Sequence, residues 1–473
     1  MLRRLLALLL VAAGIVAIFL NPLQLSLSVG ERPVAIDVVT APRDLQLVCP
    51  GALYQAGGAS GTSLTATRLG AANLVGHFAQ VPMLTLLKKT LLKGETDQPG
   101  PVAGSTQESV SVTAHDQGAG AAQSSAMLQV MQYQLARATN LAGLAAANCV
   151  RPAADSWLVG GDTSPGRETL LVMANPSPVD STVNLELLGS GGPVEAPGLS
   201  SISVPASQTT VVAISSVAPN LATFAVHVVA SGGAIGAWLE TRTVRGLTAG
   251  GVDFIGPAIA ASKTLSIPGV FLRGSTASAR LQALGETYSD LQPVLRIANT
   301  SKRVASVTAQ LVSATSGAFG TVLQQDVAAN SVVDVPITGL QDGDYAALLR
   351  SDAPVRAAVR FARVKDKQTD FAWAQASAPS LGPIGFSAPA GAVTKLSLVN
   401  ASRKSANISV GGTKVALSAN SALTITVAPG ASQLISADGV VSASTVIDVA
   451  GNVSVLPVID YRNLGGSLKI LVR

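Results

Sequence analysis

Three stretches of this chain share one pattern. An apolar run ends on an Asn, a short polar turn follows, and a second strand-like run opens eight residues after the Asn. The first reads Leu170-Leu171-Val172-Met173-Ala174-Asn175-Pro176-Ser177, the second Val294-Leu295-Arg296-Ile297-Ala298-Asn299-Thr300-Ser301 and the third Leu396-Ser397-Leu398-Val399-Asn400-Ala401-Ser402. The strands that follow open at Val183, Val307 and Ile408. Val183-Asn184-Leu185-Glu186-Leu187 alternates at period two, as a half-buried strand must, because successive side chains face opposite sides of a sheet. Each copy then repeats a strand, a polar turn and a strand. In the first this is Val204, Pro205 to Gln208 and Thr210-Val211-Val212, in the second Val327, Ala328 to Ser331 and Val332 to Ile337, in the third Val415 to Leu417, Ser418 to Ser421 and Leu423 to Val427. Hairpins are expected at Ser231-Gly232-Gly233 and Ser351-Asp352-Ala353, with a turn at Ala437-Asp438-Gly439. The first two copies also end alike, in Gly251-Val252-Asp253-Phe254-Ile255 and Gln368-Thr369-Asp370-Phe371-Ala372. Short strands with frequent turns predict a mainly β chain of tandem antiparallel sandwich units, Ig-like, at 155–262, 263–380 and 381–473.

Ahead of the repeats, residues 23–154 form an N-terminal extracytoplasmic domain with a first strand at Val34 to Val39. Glu95 to Gly120, rich in Pro, Gly, Ser and Thr, is expected to be a long exposed loop or hairpin end. Met127 to Cys149 fits a helix by propensity and a strand by alternation. Leu5 to Leu20 is a run of 16 apolar or small residues behind Arg3 and Arg4. Asn21-Pro22 follows with no Ala-x-Ala cleavage pattern, so residues 1–22 are read as an uncleaved signal anchor, a transmembrane helix. The arginines place the N-terminus in the cytoplasm and the rest of the chain outside the cell membrane. The 2 cysteines, Cys49 and Cys149, in an exported chain predict a disulfide.

Composition narrows the class further. The chain of 473 residues is 48% hydrophobic but 4% aromatic, with 45 Gly and 25 Pro, so its apolar mass is Val, Ala, Leu and Ile, the residues of many short strands. Only 12% is charged, well below the roughly 25% of ordinary soluble domains. The net charge of +5 is scattered. Its one dense basic cluster, Lys88, Lys89 and Lys93, lacks the interleaved aromatics that nucleic acid binding uses, so no nucleic acid partner is expected.

Candidate chemistry is sparse, and neither a metal nor a cofactor is called for. His77, His115 and His227 are the 3 histidines, far apart in sequence, and His227 falls in an alternating strand. Asp342 and Asp344, in Gln341-Asp342-Gly343-Asp344-Tyr345, have too few neighbouring oxygen donors for a calcium loop. They read as a turn to which the Tyr345 hydroxyl bonds back. Trp238 and Trp373 lie in or near strands and are expected in the core. Trp157, before Leu158-Val159-Gly160-Gly161, opens a unit and is the candidate ligand contact. Asn299, Asn400, Asn407 and Asn452 head glycosylation sequons, though the repeat alone explains the first two as turn residues.

The anchor, Leu47-Val48-Cys49-Pro50-Gly51, Asn148-Cys149-Val150-Arg151-Pro152 and Ser156-Trp157-Leu158-Val159-Gly160-Gly161 together resemble an uncharacterised actinobacterial family of large exported proteins. Its members carry a domain of unknown function and are often encoded near a family 2 glycosyltransferase. In this chain Leu158 stands where the family usually has a bulky aromatic. The resemblance supplies no catalytic residues. The repeat architecture, the anchor and the lack of a catalytic constellation in the sequence point to a non-enzymatic, membrane-anchored cell-envelope protein that binds or positions a partner, a membrane glycosyltransferase or a cell-wall glycan. Two alternatives remain. One is a carbohydrate-active enzyme with acids from different units, among Asp253, Asp370, Asp342 and Asp344; the other is a purely mechanical spacer.

Overall fold

A computed structural model describes residues 34–39, 45–60, 63–78, 82–86, 90–93, 100–114, 128–315, 319–366, 368–461 and 467–472. The run Leu5 to Leu20 with Arg3 and Arg4, and also Lys88, Lys89 and His115, lie outside these residues. No helix among the described residues is long and apolar enough to cross a membrane. The chain divides into two units. One carries an antiparallel ribbon of Val34–Val39 and Ser467–Val472, and the other spans Pro42–Asn463.

Within the larger unit, apart from the hairpin of Tyr54–Ser60 and Ser63–Arg68, the sheets group into four modules of two sheets each. The first stacks Leu141–Asn148, Leu128–Ala138, Ala72–Phe78 and Gly100–Thr106 against Leu45–Cys49, Val110–Ala114, Pro82–Leu86 and Thr90–Lys93. Leu47, Val112, Leu74 and Val130 fill the space between, and the Cys49–Cys149 disulfide joins the two layers there. Two expectations are settled in this module. Met127 to Cys149 is a hairpin of two strands, and the long loop expected over Glu95 to Gly120 contains the strands Gly100–Thr106 and Val110–Ala114. In that Ser/Thr-rich stretch, the buried Val110 and Val112 are enough to fix a strand.

The other three modules share one strand order. In the second module, Asp155–Val159, Phe224–Gly232, Ser181–Gly189 and Gly192–Val194 form one sheet, and Gln208–Ala213, Arg167–Asn175, Gly236–Arg245 and Thr248–Ile255 the other. Val183, Leu185 and Leu187 point inward onto Leu171, Met173 and Leu239, while Asn184 and Glu186 face out. The fourth module repeats the arrangement from Ile384–Ser387 to Asn452–Pro457. In the third, the strand Gly343–Lys365 runs through both sheets. Its first half pairs with Ser262–Leu272 and Ala305–Ser313, its second with Val294–Asn299 and Gln368–Gln375.

The hairpins expected at Ser231-Gly232-Gly233 and Ser351-Asp352-Ala353 are therefore corners. The strands flanking each lie in opposite sheets, so the chain crosses the sandwich there. The last two strands of each of these modules pair in one sheet, Gly236–Arg245 with Thr248–Ile255 and Ser442–Val449 with Asn452–Pro457, as the last two strands of an immunoglobulin unit do.

The repeated Asn holds two further crossings between the sheets of each of these modules. Asn175, Asn299 and Asn400 are fully buried. Each Nδ2 donates to the carbonyl four residues on, at Val179 (2.8 Å), Arg303 (2.7 Å) and Lys404 (2.8 Å). It also donates to the facing crossover, at Val204, Val327 and Leu417. Each Oδ1 accepts the N–H of the Ser two residues later, at 3.0 Å. One side chain thus satisfies backbone groups of two turns that would otherwise be buried without partners. Asn299 and Asn400 have no accessible amide for a glycan, whereas Asn407 is exposed and bonded to Asp438.

A second feature joins the modules. The last strand of each, Leu141–Asn148, Thr248–Ile255, Gln368–Gln375 and Asn452–Pro457, is the edge of its sheet, and the four edges pack on one another in a closed cycle. Edge strands present unpaired N–H and C=O groups, and here they face a shared centre.

Candidate functional site

Asp370 sits in that centre with no exposed surface. Its Oδ2 accepts the N–H of Leu144 (3.0 Å) and of Val453 (3.0 Å), and its Oδ1 that of Val252 (3.3 Å). One carboxylate therefore ties its own strand to the edge strands of the other three modules. Burial pushes its pKa up to about 8, against the opposing pull of these backbone donors. Asp253, also fully buried, accepts the N–H of Trp373 (2.9 Å) and the Ser454 hydroxyl (2.7 Å). Desolvation raises its pKa well above the usual carboxylate range, and the charge of Asp370 adds to the rise. Glu240 does similar work beside the centre: both its oxygens accept the Tyr54 N–H, and burial pushes it up to about 8.

The other two candidate acids lie elsewhere. Asp342 accepts the N–H groups of Gly274 (2.9 Å) and Ser275 (2.8 Å) at the start of the helix Ser275–Gln282. Asp344 is held by Arg273 (2.5 Å) and Lys395 (2.8 Å), and the Tyr345 hydroxyl donates back to the Gln341 carbonyl (3.1 Å). These four carboxylates do not converge on a cleft. Among the described residues no group of three or more His, Cys, Asp or Glu side chains is arranged to hold a metal ion.

Trp157 lies on the outer face of the second module. Strand register sets Trp157 beside His227 and His227 beside Glu186, a row across three strands. The Trp157 and His227 rings stack at 4.3 Å with 8° between their planes. His227 Nδ1 meets Glu186 Oε2 at 3.0 Å and Nε2 meets Asp155 Oδ2 at 2.9 Å. The imidazole thus bridges the two carboxylates, with both ring nitrogens engaged. With one ring face covered by imidazole, the other is left to the Arg356 guanidinium, 5.0 Å from the Trp157 ring centre. A ligand therefore meets the edge of this indole, not a bare face.

Two hollows flank that edge. One, of about 520 Å³, runs between Glu186, Leu188, Glu195 and His227 of the second module and Thr300 and Asn330 of the third. The other, of about 350 Å³, lies between Val150, Arg151 and Asp155 on one side and Pro257, Ala258 and Arg356 on the other.

Arg296 fastens the second module to the third. It pairs with Asp334 at 2.7 Å and donates to the carbonyls of Gly161 (2.6 Å) and Ala222 (2.8 Å). Burial raises the Asp334 pKa, but Arg296 outweighs it and holds the carboxyl below its usual value. The sequence singles out Trp157 but not Arg356, Asp155 or Glu186, since only the strand register brings them together. Trp238 and Trp373 are buried, and the Trp238 indole donates to the Asn148 carbonyl.

No curated protein matches the chain. Two solved structures are similar to parts of it. A Thermotoga maritima protein, "Thermotoga maritima 1070", is 12% identical over 24% of this chain and 93% of its own, at a TM-score of 0.20. The BSP domain of a biofilm associated protein is 8% identical over 87% of this chain and 96% of its own, at a TM-score of 0.11. The sequence model of one family matches residues 101–438, most of the four modules. The chain belongs to that family, DUF5719, a family of unknown function.

Proposed function

We propose that the protein is a non-enzymatic component of an actinobacterial cell envelope, anchored through residues 5–20, that binds or positions a membrane glycosyltransferase or its glycan product. The observation that carries this reading is the fate of the acids. Asp253 and Asp370 hold the modules together, Asp342 caps a helix and Asp344 pairs with two cations. An enzyme built on them would have to break its own scaffold. What is left facing solvent is a fixed surface around Trp157, with a polar and a basic hollow at a module junction, as a binding role asks. The Cys49–Cys149 disulfide supports an oxidising compartment.

The test is in-cell crosslinking of the anchored protein, followed by mass spectrometry of whatever is captured. One glycosyltransferase or one wall polymer, lost in a Trp157→Ala variant, is the expected result. Capture of nothing specific by the wild type overturns the binding role in favour of a spacer.

A further inference from the structure

Arg356 is a cation without a counterion among the described residues. Its Nη1 donates to the Thr300 hydroxyl at 2.9 Å and its guanidinium lies over Trp157, yet among the described residues no carboxylate comes within ion-pair distance of it. The nearest candidate, Asp155, is engaged by His227 at 2.9 Å. Burial pulls the Arg356 pKa down and the more distant charge of Asp155 pulls it back, so the guanidinium is partly desolvated and under-compensated. Half-buried guanidinium groups of this kind are ready receptors for planar anions.

The hollow of about 350 Å³ that Arg356 lines holds a second guanidinium, Arg151, whose Nη2 donates to the Tyr461 carbonyl at 3.2 Å. The remaining wall carries one carboxylate, Asp155, which His227 engages at 2.9 Å, and is otherwise largely apolar, from Val150, Ala153, Pro257 and Ala258, with the edge of Trp157. A volume near the lower end of the roughly 300–1,000 Å³ usual for ligand sites admits one six-membered ring with its substituents, not a long chain. The opposite hollow carries Glu186 and Glu195, so the two sides of Trp157 differ in the charge they accept.

We propose that the Arg151–Arg356 hollow binds a six-membered ring bearing a carboxylate, the carboxylate on the two guanidinium groups and the ring against the Val150–Pro257–Trp157 wall. This rests on the binding role proposed above and gives it an acidic ligand class. A sugar acid and an aromatic acid share that chemistry, and the test separates them.

Full-length protein in detergent is titrated with D-glucuronate, benzoate, D-glucose and inorganic phosphate, read by saturation-transfer NMR of the ligand. Glucuronate or benzoate is expected to bind, with at least tenfold weaker affinity in Arg356→Gln and in Arg151→Gln. Arg356→Lys should retain part of the affinity, and Glu286→Gln, at an exposed position that lines neither hollow, should leave it unchanged. Preference for glucuronate assigns a sugar acid, and preference for benzoate an aromatic one. Glucose binding as tightly as glucuronate, phosphate binding as tightly as either acid, or binding indifferent to both arginine variants overturns the proposal. The two failures are distinguishable. Partner capture in cells with no acid binding removes this inference alone, and acid binding with no capture removes the positioning role alone.

Discussion

Gly143 and Gly251 both lie against Asp370 Oδ1, and an alanine at Gly143 puts the shared centre to a direct test. A Cβ built there falls 2.5 Å from Asp370 Oδ1 and 2.8 Å from the Val252 nitrogen. Ordinary contact begins at 3.4 Å, so the carboxylate would have to retreat by about 0.9 Å (3.4 − 2.5), inside a site where three edge strands hold it. The backbone at Gly143, with φ of +143°, adds strain for any L side chain. Overpacking a close-packed interior costs about 1–3 kcal/mol. Losing one or two hydrogen bonds to the carboxylate adds about 1–3 kcal/mol. A total of about 2–6 kcal/mol is expected, a large fraction of the roughly 5–15 kcal/mol that keeps an ordinary domain folded. Urea denaturation followed by circular dichroism measures it. Gly191→Ala is the control, since nothing lies within 4 Å of its Cβ, and it should stay within about 0.5 kcal/mol of wild type. In the Gly143→Ala, Asp370→Ala double variant the added methyl finds room, so the two losses should fall short of additive by about 1 kcal/mol or more. A Gly143→Ala loss below about 1 kcal/mol, or strict additivity, would refute the packed, hydrogen-bonded centre.

Three further outcomes are expected. Replacing Cys49 and Cys149 together by alanine should lower unfolding stability by about 2–5 kcal/mol, and intact mass before and after reduction should differ by two hydrogens in the wild type only. Asn299→Ala leaves buried carbonyls at Arg303, Val327 and Ala328 without their donor and should cost about 2–4 kcal/mol, against under about 1 kcal/mol for the exposed Asn407→Ala by thermal denaturation. The third concerns pH. Asp253, Asp370 and Glu240 have raised pKa values in the folded chain, Asp370 and Glu240 about 8. They ionise in the unfolded chain near about 4, so the unfolded state sheds protons first and stability falls as pH rises from about 4 to about 8. Asp334 and Asp342, held below their usual values, act in the opposite sense only below that window. Differential scanning calorimetry should show Tm rising from pH 8 to pH 5, and a fall over that range would overturn the assignment of neutral buried carboxyls.

How much of this was legible in the chain depends on how local each feature is. Period-two alternation in Val183 to Leu187 places a strand because facing is set by neighbours in sequence. The three Asn residues mark crossings for the same reason, their first partners lying two and four residues away. A Ser-Gly-Gly turn is ambiguous at this level. The same dihedral freedom serves a hairpin and a crossing between sheets, and the choice at Gly232 is made by the partner strands Ser181–Gly189 and Arg167–Asn175. Gly100 to Ala114 was harder still, with too few apolar positions to outweigh its turn formers.

The centre was illegible for a deeper reason. Asp253 and Asp370 stand at matching places in two copies of the repeat, and an acid recurring in a strand invites a chemical reading. Apart from the Ser454 hydroxyl, however, their partners are backbone N–H groups as far as 226 residues away in sequence, which carry no side-chain signature. Only Gly143 and Gly251 leave a trace, as missing side chains where the carboxylate needs room. The consequence reaches the binding surface. Trp157, His227, Thr300 and Arg356 come from two modules, and their spacing is set by Arg296 at the junction and by the carboxylates behind it. If the centre loosens, the hollows beside Trp157 should lose shape before the modules unfold, so Gly143→Ala should weaken ligand binding at urea concentrations where its circular dichroism is still native.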